Sequence, residues 1–270
     1  MSLYKFHAFN DNTISALEVY SAWFAKPASF NDPFEGVYKE VTTPKKDEYI
    51  NELLDSLFEQ EPDIREIFTD PDPERKALAM EALTKMSRNI IRTQQASFHD
   101  SGICCFIKDG MVTPYEEPIM WGHYGNGLKG YVLRFDGVST EMFESKDIGS
   151  IAVAYQNEPP VIDSIELLGT FMRKNNGQNG IIGPEIIKMI TTKHMSWAYE
   201  NEIRFISFES GNKLFKYKEG AIKSIIIGSK MPEWQKRTIK AIANKHQITD
   251  LKEAFSRDDS YKVELRELSI

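Results

Sequence analysis

Trp197-Ala198-Tyr199-Glu200-Asn201-Glu202-Ile203-Arg204-Phe205 is the stretch on which the fold turns. Its second half predicts a strand over 201–208. Ile203 and Phe205 recur at period two and take one face, and Glu200, Glu202 and Arg204 share the other. Such a face is either an ion-pair ladder worth about 1 kcal/mol or less, or the wall of a polar cleft, because charges of this kind are not left against apolar surface. Outward from here, further strands are expected at 3–7, 22–25, 102–107, 129–136, 150–155, 221–227 and 258–268. Helices are expected at 14–20, after the N-cap candidates Asn10 to Thr13, at 184–194, and from Pro232 at position N1 to about Lys245. The strands cluster without regular strand-helix-strand alternation. That pattern predicts an α+β fold with a mixed, mostly antiparallel sheet and flanking helices.

Residues 43–98 differ. Tyr49, Ile50, Leu53, Leu54, Leu57 and Phe58 form one helical stripe. Leu78, Met80, Leu83, Met86, Ile90 and Ile91 form a second, with Pro62 and the Asp70-Pro71-Asp72-Pro73 run as punctuation. The reading is a single α+β domain over residues 1–270 carrying an α-helical insertion at about 43–98. The insertion either covers the core or acts as a partner-binding lid.

Composition bounds the function. Apolar residues are 41 % and charged residues 27 %, so the signature of disorder is absent. Lys and Arg number 33 against 40 Asp and Glu, for a net charge of −7. That balance disfavours non-specific nucleic-acid binding, which needs a basic surface to release counterions. Cys104 and Cys105 are adjacent inside an apolar run, so buried, reduced thiols are expected. Residues 1–9 lack the apolar core of a signal peptide, and no stretch reaches the roughly 18 apolar residues of a membrane span. A cytoplasmic protein without membrane contact is expected.

Familiar site signatures are missing. Neither phosphate-loop pattern occurs, and Gly125-Asn126-Gly127-Leu128-Lys129-Gly130 leads into a strand, which makes it a turn. The two adjacent cysteines and five scattered histidines do not make a zinc pattern, and there is no nucleophile elbow.

Three other segments stand out: Phe30-Asn31-Asp32-Pro33-Phe34-Glu35, Met120-Trp121-Gly122-His123-Tyr124, and the stretch quoted first. With Leu3-Tyr4-Lys5-Phe6 they resemble, in order, the motifs of the bacterial family called domain of unknown function 2971. A more distant resemblance is to ADP-ribosyltransferases. It implies an enzyme that cleaves the nicotinamide-ribose bond of NAD, with a role in bacterial defence or toxin systems. Carried over residue by residue, His7 would hold NAD, with Lys5 as its substitute, and Ser29 would support the nicotinamide. Glu202 would stabilise the oxocarbenium-like transition state, and Glu200 would be the first acid of the pair. Asn31, Asp32, His123, Tyr124 and Arg204 complete the candidate cofactor-binding set, and NAD is the candidate substrate.

Plainer readings stand beside this one. Asn31 and Asp32 suit an Asx-turn pinned by Phe30 and Phe34. Trp121 and Tyr124 suit core aromatics with polar handles, and His123 suits a packed structural residue. Two other function classes follow: a non-catalytic module that binds a ligand or protein in a cleft, and a metal-dependent nuclease using Asp32, Glu35, Glu200 and Glu202. The discriminating geometry is whether His7 and Glu202 face one pocket, whether Asp32, Glu35 and Glu202 converge, or neither.

Overall fold

The computed structural model describes the chain apart from residues 44, 61–72, 138–141, 176–183, 209–210 and 269–270. The punctuation at Pro62 and at 70–72 lies outside the described residues. In chain order the elements are β1 (Ser2–His7), α1 (Asp11–Glu18), β2 (Ser21–Phe24), β3 (Lys39–Val41), α2 (Asp47–Gln60), α3 (Pro73–Asp100), β4 (Gly102–Lys108), α4 (Pro118–His123), β5 (Tyr131–Asp136), β6 (Ile148–Ala152), β7 (Ala154–Gln156), β8 (Val161–Asp163), α5 (Ser164–Asn175), α6 (Pro184–Ile190), β9 (Thr192–His194), β10 (Glu202–Ser207), β11 (Lys213–Lys216), β12 (Ile222–Gly228), α7 (Glu233–Lys245), β13 (Leu251–Ser256) and β14 (Val263–Glu267). They form two compact units. One comprises residues 1–31, 100–153 and 196–270, the other 32–99 and 154–195.

The first unit is built on an eight-stranded sheet of order β14-β13-β12-β5-β1-β4-β10-β6. Its pairs are antiparallel except β12 with β13, which α7 connects. The fold is therefore α+β, with a mixed, mostly antiparallel sheet. Alternation sorts the side chains to two faces. Leu3, Phe106, Leu133, Phe205 and Ile225 pack with Leu17 of α1 and Ile239 of α7. Tyr4, Phe6, Ile107, Val132 and Ile226 pack beneath Met120 and Trp121 of α4. Each fully buried side chain of this kind contributes roughly 1.5–3 kcal/mol. Helix α1 starts at a capping box, with Thr13 N donating to Asn10 Oδ1 at 3.0 Å and Asn10 N to Thr13 Oγ1 at 3.2 Å. The 125–130 segment is the expected turn. It delivers Gly130 so close to β1 that an added Cβ would lie 2.1 Å from His7 O.

The second unit holds two short parallel pairs, β3–β8 and β7–β9. Its core joins Ile50, Leu53 and Leu54 of α2, Leu83 of α3, and Ile165 and Leu168 of α5. The helices expected as an insertion at 43–98 thus share a core with a helix from 164–175.

Four local readings change. Glu200 is not on the strand: it ends a 3-10 turn over Met195–Glu200, and Asn201 at φ 43° breaks the alternation before β10 begins. Glu200 therefore does not share a strand face with Glu202 and Arg204. The 184–194 helix stops at Ile190, and Thr192–His194 is a strand. Strand β13 was hidden because an inward position is charged. Glu253 is buried there, with Lys236 Nζ at 2.8 Å, so the apolar alternation is interrupted. Pro232 is the N-cap of α7 rather than its first residue.

Candidate functional site

Strands β1 and β4 pair only through Leu3↔Lys108 and Tyr4↔Ile107. Beyond Tyr4, β1 continues along β5 as far as His7↔Tyr131. At its other end β4 turns to β2, where Ile103 and Ala25 exchange both backbone bonds at 2.8 and 3.0 Å. The sheet is therefore split between Ile107 and Ile103, and Cys105 lies at the split. Its carbonyl accepts from Lys5 Nζ at 2.9 Å, a side chain replacing the missing ladder partner. A cavity of about 590 Å³ opens here, with Lys5, His7, Trp23, Phe30, Cys105 and Tyr131 among its walls.

The cleft has one sign of charge. No Asp or Glu is among the residues lining it. The Lys5 ammonium sits 5.2 Å from the centre of the Phe106 ring as well as on the Cys105 carbonyl. The His7 ring stacks on Tyr131, with centroids 5.0 Å apart at 23°. Burial, helped by the Lys5 charge, pulls the His7 pKa down to about 3, so the imidazole is neutral at pH 7. Burial also raises Tyr131 and Cys105 above their ordinary values, the latter assisted by the Glu202 charge. Lys5 is thus the one charged group among the described lining residues.

A second constellation forms from the two segments at 120–124 and 197–205. The Tyr124 hydroxyl donates to the buried Glu200 carboxylate. Burial and that carboxylate drive the Tyr124 pKa up. Tyr199 Oη and His123 Nδ1 are 3.0 Å apart. Glu202 accepts from Arg204 Nε at 2.9 Å, and the two side chains are 2 % and 0 % exposed. Arg204 also stacks on Phe30, 5.7 Å from its ring centre, so Phe30 touches both the cleft and this charged pair.

The expected site residues therefore fall into groups. His7 lines the cleft, as does its substitute Lys5. Glu202, opposite Ile107 on β4, shares its face with Tyr4. Lys5 and His7 alternate to the other face, and β4 separates β1 from β10. Glu202 and Arg204 are not among the cleft residues, and neither are Ser29, Asn31, His123, Tyr124 and Glu200. Ser29 is exposed and donates its hydroxyl to Lys26 O at 2.8 Å. Asn31 is exposed, and Asp32 Oδ1 accepts from Phe34 N at 2.9 Å, the expected Asx-turn. Among the described residues no group of three or more His, Cys, Asp or Glu is arranged to hold a metal ion, so the four-acid reading gains no support. Nor is any described helix long and apolar enough to cross a membrane.

Trp23, Tyr131 and Cys105 were not singled out from sequence. The available signal was the Leu3-Tyr4-Lys5-Phe6-His7 alternation, which puts two polar groups on a face that is otherwise apolar. A second cavity, of about 600 Å³, lies between Trp121, Leu128 and the turn joining β13 to β14, and holds none of the expected residues.

No curated protein and no solved structure matches this chain. Residues 120–205, about a third of the chain, match the family described as "Protein of unknown function (DUF2971)", and that stretch carries both halves of the tyrosine–carboxylate constellation.

Proposed function

We propose that this protein is a binding module whose cleft beside β1 takes a nucleotide-type ligand, an anionic group joined to a planar ring, with NAD the first candidate. The observation that carries the reading is the Lys5 ammonium, set in a cleft without a lining carboxylate and bonded there to a neutral carbonyl. A partly desolvated cation of this kind favours an anionic guest. The exposed indole of Trp23 and the His7 ring, backed by the buried Tyr131, offer flat apolar surface for a ring, and 590 Å³ is within the range of small-molecule pockets. The non-catalytic class is favoured over the transferase because Glu202 lies on the opposite sheet face and is engaged by Arg204.

The test is a thermal-shift series with NAD, mononucleotides and divalent metals. A ligand present at about 100 times its Kd adds about 2.7 kcal/mol, or roughly 5–10 °C for a chain of this length. Lys5→Met should weaken an anionic ligand by about 10- to 100-fold, the worth of a charge-assisted hydrogen bond. Unshifted melting with every nucleotide would remove the reading. NAD turnover that disappears in Glu202→Gln would move the protein to the transferase class.

A further inference from the structure

The split in the sheet does more than make room. On β4 the backbone groups alternate in direction. Lys108 N donates to Asn201 O on the β10 side, whereas Ile103 N donates to Ala25 O and Asp109 N to Ser2 O on the other side. Odd-numbered residues of β4 therefore turn their amides toward β1 and β2, and even-numbered residues turn theirs toward β10. Cys105 is odd. Ile107 finds its partner in Tyr4, and Ile103 in Ala25. No residue of β1 or β2 stands opposite Cys105. Its carbonyl is met by Lys5 Nζ, but its N–H points into the split without a protein acceptor among the described residues. Cys105 is only partly buried, and this donor opens onto the cleft, where a ligand oxygen or a water completes its bonding.

The Lys5 ammonium has three donors; one goes to the Cys105 carbonyl and the Cys104 thiol is a second partner. Its remaining donor lies at the same split as the Cys105 N–H. An oxygen placed there would accept from both at once. With one positive charge and no lining carboxylate, the charge matched by this corner is a single negative one.

We propose that the split between β1 and β4 is an oxyanion anchor, in which the Cys105 backbone N–H and the Lys5 ammonium together hold one oxygen of a monoanionic group on the ligand, a carboxylate or a phosphodiester-type phosphate. This rests on the cleft being the binding site and specifies which end of the ligand enters first. The ring then lies outward, toward His7 and Trp23. The two sources share one chemistry, an oxygen carrying a delocalised negative charge, and they are separable by probe.

The chain's only two cysteines make the test direct. Selective 15N-cysteine labelling of the full chain gives two amide signals. The Cys104 amide, opposite Phe205 in the ladder, turns toward β10 and is the comparison signal, although its thiol meets Lys5. Titration uses benzoate as the carboxylate probe, NAD as the phosphate probe and benzamide as the neutral isostere. The Cys105 amide should move downfield with benzoate or NAD by clearly more than the Cys104 amide, and benzamide should bind at least tenfold more weakly than benzoate. A response to benzoate alone assigns a carboxylate, and a response to NAD alone assigns a phosphate. Lys5→Met should abolish the Cys105 shift, and folding of that variant is checked by its circular dichroism and a cooperative melting transition, since the Cys104 thiol itself meets Lys5. If nucleotides raise the melting temperature but leave the Cys105 amide unmoved, the anchor is wrong and the binding reading survives. If neither melting nor either amide responds to any probe, both fall together.

Discussion

Replacing His7 by Gln removes a titration that acid stability should report. The His7 ring stacks on Tyr131, and burial together with the nearby Lys5 charge lowers its pKa to about 3 from 6.5. The unfolded chain therefore binds a proton across the window from pH 6.5 to 3 that the folded chain refuses. Stability rises with pH wherever the unfolded state holds more protons. The contribution of neutral His7 is complete above about pH 6.5 and is lost as pH falls toward 3. Each pH unit inside the window is worth about 1.4 kcal/mol, so moving from pH 7.5 to 4.5 costs the wild type about 2.7 kcal/mol through this residue. With a urea slope near 3 kcal/mol/M, that is a drop of roughly 0.9 M in midpoint. The assay is urea unfolding of wild type and His7→Gln at both pH values. Titrations shared by the two proteins cancel, and His7→Gln should be less acid-sensitive by about that amount. Parallel pH profiles would refute the desolvated, neutral imidazole, and with it the assignment of Lys5 as the cleft's charge.

Glu202→Gln should destabilise the chain by about 3 kcal/mol, the scale for breaking a buried ion pair, while nucleotide-induced thermal shifts persist. A loss under about 0.5 kcal/mol by calorimetry would mean that the Glu202–Arg204 pair is solvated. Gly228→Ala places a Cβ 2.1 Å from Leu128 O, a backbone atom with little freedom to yield, so a cost of about 3 kcal/mol is expected. An unchanged melting temperature would show that β12 can shift away. Deleting 43–98 behind a short linker should give an aggregating product, because Ile165 and Leu168 of α5 lose the partners that bury them. A soluble monomer on gel filtration would make those helices dispensable.

Much was legible in the sequence where a property is local. Alternation in Leu3-Tyr4-Lys5-Phe6-His7 marked β1, and the caps at Asn10 and Thr13 marked the start of α1. The α+β class follows from the order of such segments. Single-residue rules also explain the turn at 125–130, since glycine tolerates both positive φ and close backbone approach. Tyr124, His123 and Glu200 were picked out by the motifs that carry the family resemblance, although nothing local says that Tyr124 meets Glu200. Contacts across 76 positions are set by how strands pair, and a sequence pattern of period two carries no register between distant strands.

The reading of Glu200, Glu202 and Arg204 as one face failed for a local reason with a tertiary cause. Asn201 adopts positive φ while its side-chain amide donates to Lys108 O and Asp109 O, both at 3.0 Å, and those carbonyls arrive only with β4. The cleft is wholly a tertiary product. Which strands form and which of their residues face inward was set by side-chain chemistry along the chain. That β1 leaves β4 after Tyr4, so that Lys5 takes over a carbonyl and the Cys105 amide is left to the cavity, was decided by competition. Strand β5 claims the far end of β1, and Ala25 claims the far end of β4. Backbone hydrogen bonds are nearly alike for every residue type, so no residue in either strand could announce where their pairing would stop.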